Sequence, residues 1–139
     1  MNSVWQPVMN DYTIIEQIGK GSFGKVIKAK CKNTGKEVAI KLIENIFNEA
    51  NHARHVLREL HLMHELTNIP GNIFTTKLLD IVLPISENSG SNKFKDIFIV
   101  MDYVQQDLVK LFTTNRPDEF TEDHVVCIMY NALCALNFL

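Results

Sequence analysis

Apolar positions along the chain fall into two spacings. Tyr12-Thr13-Ile14-Ile15-Glu16-Gln17-Ile18 reads as a strand, and Lys25-Val26-Ile27-Lys28-Ala29-Lys30 sets lysines at 25, 28 and 30 against apolar, partly β-branched residues at 26, 27 and 29. These predict strands over about 12–18 and 24–31, with glycines at the tip between them. Lys32-Asn33-Thr34-Gly35-Lys36 is a turn by composition, and Glu37 to Ile43 is a third strand, so the three form an antiparallel meander. The spacing then changes. Val56, Leu60, Met63 and Leu66 or Thr67 recur every three to four residues, predicting a helix from Asn48 to Leu66 stopped by Asn68-Ile69-Pro70-Gly71-Asn72. Thr75 to Leu83 reads as a fourth strand ended by Pro84, residues 86–93 as a polar loop long enough to be mobile, and the apolar run Asp96 to Met101 as a buried fifth strand. Residues 102–106 are a candidate connector. Asp107 can cap a short helix from Leu108 to Phe112, and Thr121 a longer one running to Leu139. Val125, Val126, Ile128, Met129, Leu133, Leu136, Phe138 and Leu139 make that last helix apolar over much of its surface, the pattern of a buried helix.

Composition narrows the class without naming it. The chain has 139 residues, 46% hydrophobic and 22% charged, enough for one domain with a modest core. A net charge of −2 gives no reason to invoke nucleic acid or an acidic membrane surface. Three cysteines (Cys31, Cys127, Cys134) without metal spacing suit a reduced, intracellular chain. The first residues lack the basic start and apolar stretch of a secretory signal, and no apolar run approaches the roughly 18 residues of a membrane span. A cytoplasmic or nuclear location is expected.

The chemistry gathers at Ile18-Gly19-Lys20-Gly21-Ser22-Phe23-Gly24-Lys25-Val26. Three glycines at this spacing let a backbone turn tightly and approach a phosphate without Cβ contacts. By itself the pattern is weak, because dinucleotide-binding folds share it and an ordinary tight turn also explains it. In the dinucleotide fold, however, the last glycine opens a helix. Here it opens a strand, and Val38-Ala39-Ile40-Lys41 follows, with Lys41 fifteen residues after Val26 (41 − 26).

Together these two blocks resemble the ATP-binding lobe of the eukaryotic protein kinases. The resemblance covers about residues 10–139. Val56-Leu57-Arg58-Glu59-Leu60, Asp96 to Asp102 followed by Gln106-Asp107-Leu108, and Phe120-Thr121-Glu122-Asp123-His124-Val125 are closest to the MAP kinase and cyclin-dependent kinase branch. The implied fold is α+β: a kinase-like small lobe with a five-stranded antiparallel sheet and one main helix, followed by the first helices of a truncated helical lobe. The implied division is a lead-in over 1–11, the small lobe with its hinge over 12–104, and the start of the second lobe over 105–139.

A phosphate-transfer enzyme must hold a polyanion still and neutralise it as charge moves. The resemblance implies that Ile18, Gly19, Lys20, Gly21, Ser22, Phe23 and Gly24 lie over the nucleotide phosphates, with Ser22 and Phe23 at the tip, and that Val26 and Ala39 pack on adenine. It implies that Lys41 holds the α- and β-phosphates and that Met101 guards the back of the pocket. Asp102 and Val104 would meet adenine through their backbones, and Asp107 would contact the ribose, a role compatible with a plain helix cap. Lys41 needs a carboxylate to fix its flexible ammonium. Of Glu44, Glu49, Glu59 and Glu65, Glu59 lies mid-helix on the face of Val56 and Met63 and is the expected partner, with Met63 packing behind it. Lys41 and Glu59 are thus the candidate catalytic residues. His52, His55, His61 and His64 share that helix, but no cysteine or clustered carboxylate completes a metal shell, so a solvated face is expected and no metal site.

The expected cofactors are ATP and Mg2+, the expected partners a protein substrate and an upstream activating kinase, with no nucleic acid and no membrane. The H-R-D-x-x-x-x-N loop, D-F-G and A-P-E segments that carry the base and the magnesium ligands do not occur in these residues. The expectation is therefore the ATP-binding part of a Ser/Thr protein kinase, incomplete as given and inactive alone. The alternative is a non-catalytic, pseudokinase-like nucleotide-binding or interaction module. The apolar last helix, which a natural module would leave exposed, favours the first.

Overall fold

The computed structural model describes residues 4–21, 24–84, 94–114 and 121–139. The expected loop tip at Ser22 and Phe23, the polar loop of residues 86–93 and Phe120 of the third MAP kinase-like motif lie outside the described residues. The elements run β1 (Tyr12–Gly21), β2 (Gly24–Cys31), β3 (Glu37–Ile43), α1 (Ala50–Asn68), β4 (Leu78–Val82), β5 (Ile97–Asp102), α2 (Leu108–Thr114) and α3 (Glu122–Phe138). The five strands form one sheet in the order β1-β2-β3-β5-β4, with every neighbouring pair antiparallel.

The chain falls into two units. One runs to Asn72 and resumes over Thr76–Tyr103; the other comprises Ile73–Thr75 and Val104–Leu139.

In the first unit β3 is the spine. Side chains alternate across a strand, and β3 is buried on both sides. Val38, Ile40 and Leu42 join Ile27 and Ala29 of β2, Phe98 and Val100 of β5, and Trp5, Val8 and Tyr12 in one cluster. A turn of 3-10 helix at Gln6–Val8 brings Trp5 back onto the domain, its ring 5.7 Å from that of Phe98. On the opposite side Ile43, Ile97 and Ile99 meet Ile46 and Val56, with Leu60, Met63, Leu78 and Met101 packed around them. That second cluster docks α1 through the three-to-four spacing visible in its sequence. Leu57 and Leu62 of α1 are both more than half exposed.

β2 and β3 keep the bounds the sequence pattern predicts, and several departures elsewhere have local causes. β1 continues to Gly21 because Gly19, Lys20 and Gly21 pair with Val26, Lys25 and Gly24. Its register slips between Ile14 and Glu16 and again between Gln17 and Gly19, leaving Ile15 and Ile18 as bulge residues, both exposed. α1 starts two residues later than expected: Asn48 is held in a turn by its N–H to the Asn45 carbonyl (3.1 Å), and Glu49 offers no side-chain cap. It ends later as well. Thr67 Oγ1 donates to the Met63 carbonyl (2.7 Å), and the buried Asn72 Nδ2 donates to that of Leu66 (2.7 Å), closing the last turn. β4 is shorter than predicted, running Leu78–Val82, and its pairing with β5 shifts between Leu78 and Asp80.

In the second unit the Phe74 and Phe138 rings pack in a tilted pair, centroids 5.3 Å apart and planes at 49°. The Asp107 carboxylate accepts from the Lys110 N–H at 2.6 Å and so caps α2. Thr121 precedes α3, where its N–H donates to Nδ1 of His124 (3.1 Å), with Glu122 and Asp123 in the first turn. None of the residues of α3 is fully buried.

Candidate functional site

One face of the sheet collects the residues that chemistry requires. Cross-strand partners share a face. Val26 pairs with Lys41, Lys28 with Ala39, and Ala39 with Met101, so Val26, Lys28, Ala39, Lys41 and Met101 lie on the same face of β2, β3 and β5. α1 packs on this side, through Ile43, Ile99 and Met101.

The Lys41 ammonium donates to Oε1 of Glu59 at 2.6 Å. The lysine side chain is 18% exposed and the glutamate 40%. A pair this open adds about 0–1 kcal/mol to stability, so its consequence is geometric: it fixes where the ammonium stands. Its remaining N–H donors make no hydrogen bond to the described residues and stay available to an anion. Glu44 is engaged elsewhere, with Lys25 at 3.0 Å, and Glu49 and Glu65 are exposed.

The three glycines respond differently to an added Cβ. At Gly24, φ is +118° and a Cβ would stand 2.0 Å from the Leu42 carbonyl oxygen. Glycine there is demanded by the approach of β2 to β3. At Gly19 a Cβ would make ordinary contact with Val26 at 3.5 Å, and at Gly21 it would meet nothing within 4 Å. Gly21 and Lys20 are exposed at the end of the hairpin. The open space beside Gly21 leaves its backbone accessible, as a close approach to a phosphate requires.

At the end of β5, Asp102 keeps its backbone N–H on the Lys77 carbonyl (3.1 Å), and its carboxylate accepts the Lys77 N–H (3.1 Å). Val104 is exposed, and Asp107 is the α2 cap already described. Both belong to the second unit.

Of the four helix histidines, His55, His61 and His64 are exposed as expected, but His52 is not. It turns inward, its Nε2 is buried without a hydrogen-bond partner among the described residues, and it lines a cavity of about 80 Å³ with Lys41, Ile43, His55, Val56 and Glu59. Its seven-residue separation from Glu59, two helical turns, puts the two on one face of α1. Among the described residues no group of three His, Cys, Asp or Glu side chains could hold a metal ion. Lys28 is the other residue that sequence reasoning passed over. It lies two positions from Val26, and side chains two apart share a face.

A five-stranded antiparallel sheet, a glycine hairpin at its edge and a lysine–glutamate pair from β3 to α1 are the parts of a protein-kinase small lobe. The sequence profile of the protein kinase domain matches residues 12–139, and the chain belongs to that family. Among its relatives, mitogen-activated protein kinase 11 of Oryza sativa subsp. japonica is 35% identical over 131 residues, covering 94% of this chain and 21% of that protein. Mitogen-activated protein kinase 18 of Arabidopsis thaliana is 36% identical over 130 residues, covering 94% of this chain and 20% of the relative. Mitogen-activated protein kinase 8 of Oryza sativa subsp. japonica is 37% identical, with 94% and 21% covered. The chain is MAP kinase-like, and it spans about a fifth of the length of these relatives.

Proposed function

We propose that the chain is the ATP-gripping part of a MAP kinase-like Ser/Thr protein kinase, with the base and the magnesium ligands supplied by residues outside it. The reading rests on the Lys41–Glu59 pair at 2.6 Å. It is supported by the free donors of Lys41 and by the room at Gly19 and Gly21, where the protein itself does not exclude a Cβ. Bound ATP would supply the transferable γ-phosphoryl group, neutralised by Mg2+. Lys41 would hold the α- and β-phosphates, and Glu59 would hold Lys41. The hairpin amides from Gly19 to Gly24 would cover the phosphates. Val26, Ala39 and Met101 would line the adenine slot, with Asp102 and Val104 presenting backbone groups and Asp107 near the ribose. The acceptor would be a hydroxyl of a protein substrate, and the whole protein would answer to an upstream kinase. A cytoplasmic or nuclear setting suits this work; among the described residues no helix is long and apolar enough to cross a membrane.

The test is phosphoryl transfer by the full-length protein. Lys41→Met is expected to lower kcat by about 10²-fold or more, the scale of losing a preorganised cation. Glu59→Gln should impair it less, while Glu49→Gln and Glu65→Gln should leave it near wild type. Full activity in Lys41→Met, or damage from Glu65→Gln in place of Glu59→Gln, would overturn the reading.

A further inference from the structure

Lys28 is tied at both sides. Its ammonium lies 2.9 Å from Glu37 Oε1 and 4.4 Å from the centroid of the Tyr103 ring. Its side chain is only 16% exposed, low for a strand lysine. The hydrogen bond to Glu37 keeps its pKa above the ordinary lysine value, with smaller contributions from Glu37, Tyr103 and Glu16, so the charge persists through the neutral range.

The sheet register explains why these three side chains meet. The β3–β5 ladder ends at the pair Val38 and Asp102. One step further would set Glu37 opposite Tyr103, where the chain leaves the sheet. Tyr103 stands two residues beyond Met101, hence on the same face, and Lys28 reaches this point from β2 across Ala39. A cation over an aromatic face is attracted by the ring quadrupole. The anchoring pair with Glu37 keeps that cation from wandering to solvent.

Tyr103 lies between Asp102 and Val104, the two residues whose backbones would meet adenine. We infer that Lys28 is a positioning residue: with Glu37 it clamps the Tyr103 ring and so fixes the backbone of the segment that follows β5 for adenine binding. The inference rests on the kinase reading above for its ligand, and on geometry alone for the clamp. Lys28 itself touches neither nucleotide nor substrate in this proposal. Its loss should therefore weaken ATP binding and spare the chemical step.

Two measurements on the full-length protein test it. The first needs no nucleotide: amide hydrogen exchange across residues 102–105. Lys28→Met is expected to speed exchange there about three- to fivefold, the scale of an exposed cation–π contact, and Tyr103→Leu similarly. Lys28→Arg and Tyr103→Phe, which keep the cation and the ring, should stay near wild type. The second is steady-state kinetics. Lys28→Met should raise KM for ATP about three- to fivefold with kcat within about twofold, and the double variant with Tyr103→Leu should add little more. Unchanged exchange in Lys28→Met would overturn the clamp, and should that variant fail to fold, unchanged exchange in Tyr103→Leu would do the same. Faster exchange with unchanged KM would overturn the positioning role. A wild type that binds no ATP would strike the kinase reading, while the exchange result would still decide the clamp.

Discussion

Gly21 and Gly24 stand three residues apart and answer to different demands. Gly24 is required by the fold, since its positive φ and the Leu42 carbonyl leave no place for a Cβ. Gly24→Ala should cost about 2 kcal/mol or more, read by denaturant unfolding. Gly21 has open space beside it. Gly21→Ala should leave stability within about 0.5 kcal/mol and lower ATP affinity, and an equal loss of stability in the two variants would refute the distinction. Tyr12 gives a second residue-scale expectation. It is buried, and burial, followed by the charge of Asp80 and the 3.3 Å hydrogen bond to it, pushes its pKa from 10.0 up to about 12. The fold favours the neutral phenol, so this contribution is whole below pH 10 and is lost as pH rises through about 12. Thermal unfolding across that window should show a shallower alkaline decline in Tyr12→Phe than in the wild type.

Among the elements, α1 converts packing into chemistry. Its attachment to the sheet runs through Val56, Leu60 and Met63, while Glu59 rides on the same side. Val56→Ala should therefore destabilise the first unit by about 1–2 kcal/mol and lower phosphoryl transfer as well, because Glu59 loses its fixed distance from Lys41. Leu57→Ala, at a position 67% exposed, should do neither. The helix period that places Glu59 was legible in the sequence, as were the bounds of β2 and β3, where β-branched residues and a Gly-containing turn agree. The two bulges of β1 were not, because a register slip depends on its partner strand and leaves no mark in a single strand's pattern. His52 and Lys28 were missed for a related reason. A histidine on a His-rich helix face and a lysine in an alternating strand look solvated until the opposing element is known. The ribose and adenine roles of Asp107 and Val104 came from family resemblance, and local geometry speaks only to the cap that Asp107 makes.

At the scale of the molecule, the second unit keeps much apolar surface on α3: Val126, Met129, Leu133 and Leu136 are each more than half exposed. Residues 1–139 alone are expected to bind a hydrophobic dye. Replacing Leu133 and Leu136 by glutamine should reduce the dye signal without lowering the melting temperature, and an undiminished signal would locate the apolar surface elsewhere. The turn that folds Trp5 onto Phe98 gives this molecule an optical asymmetry. The chain has one tryptophan, it is 5% exposed in the first unit, and the second unit has none. Indole fluorescence excited selectively thus records the melting of the sheet unit alone, while helical circular dichroism records α1 and α3 together. Superimposable melting curves from the two signals would mean the units unfold as one cooperative block, and separated curves would mean each has its own transition.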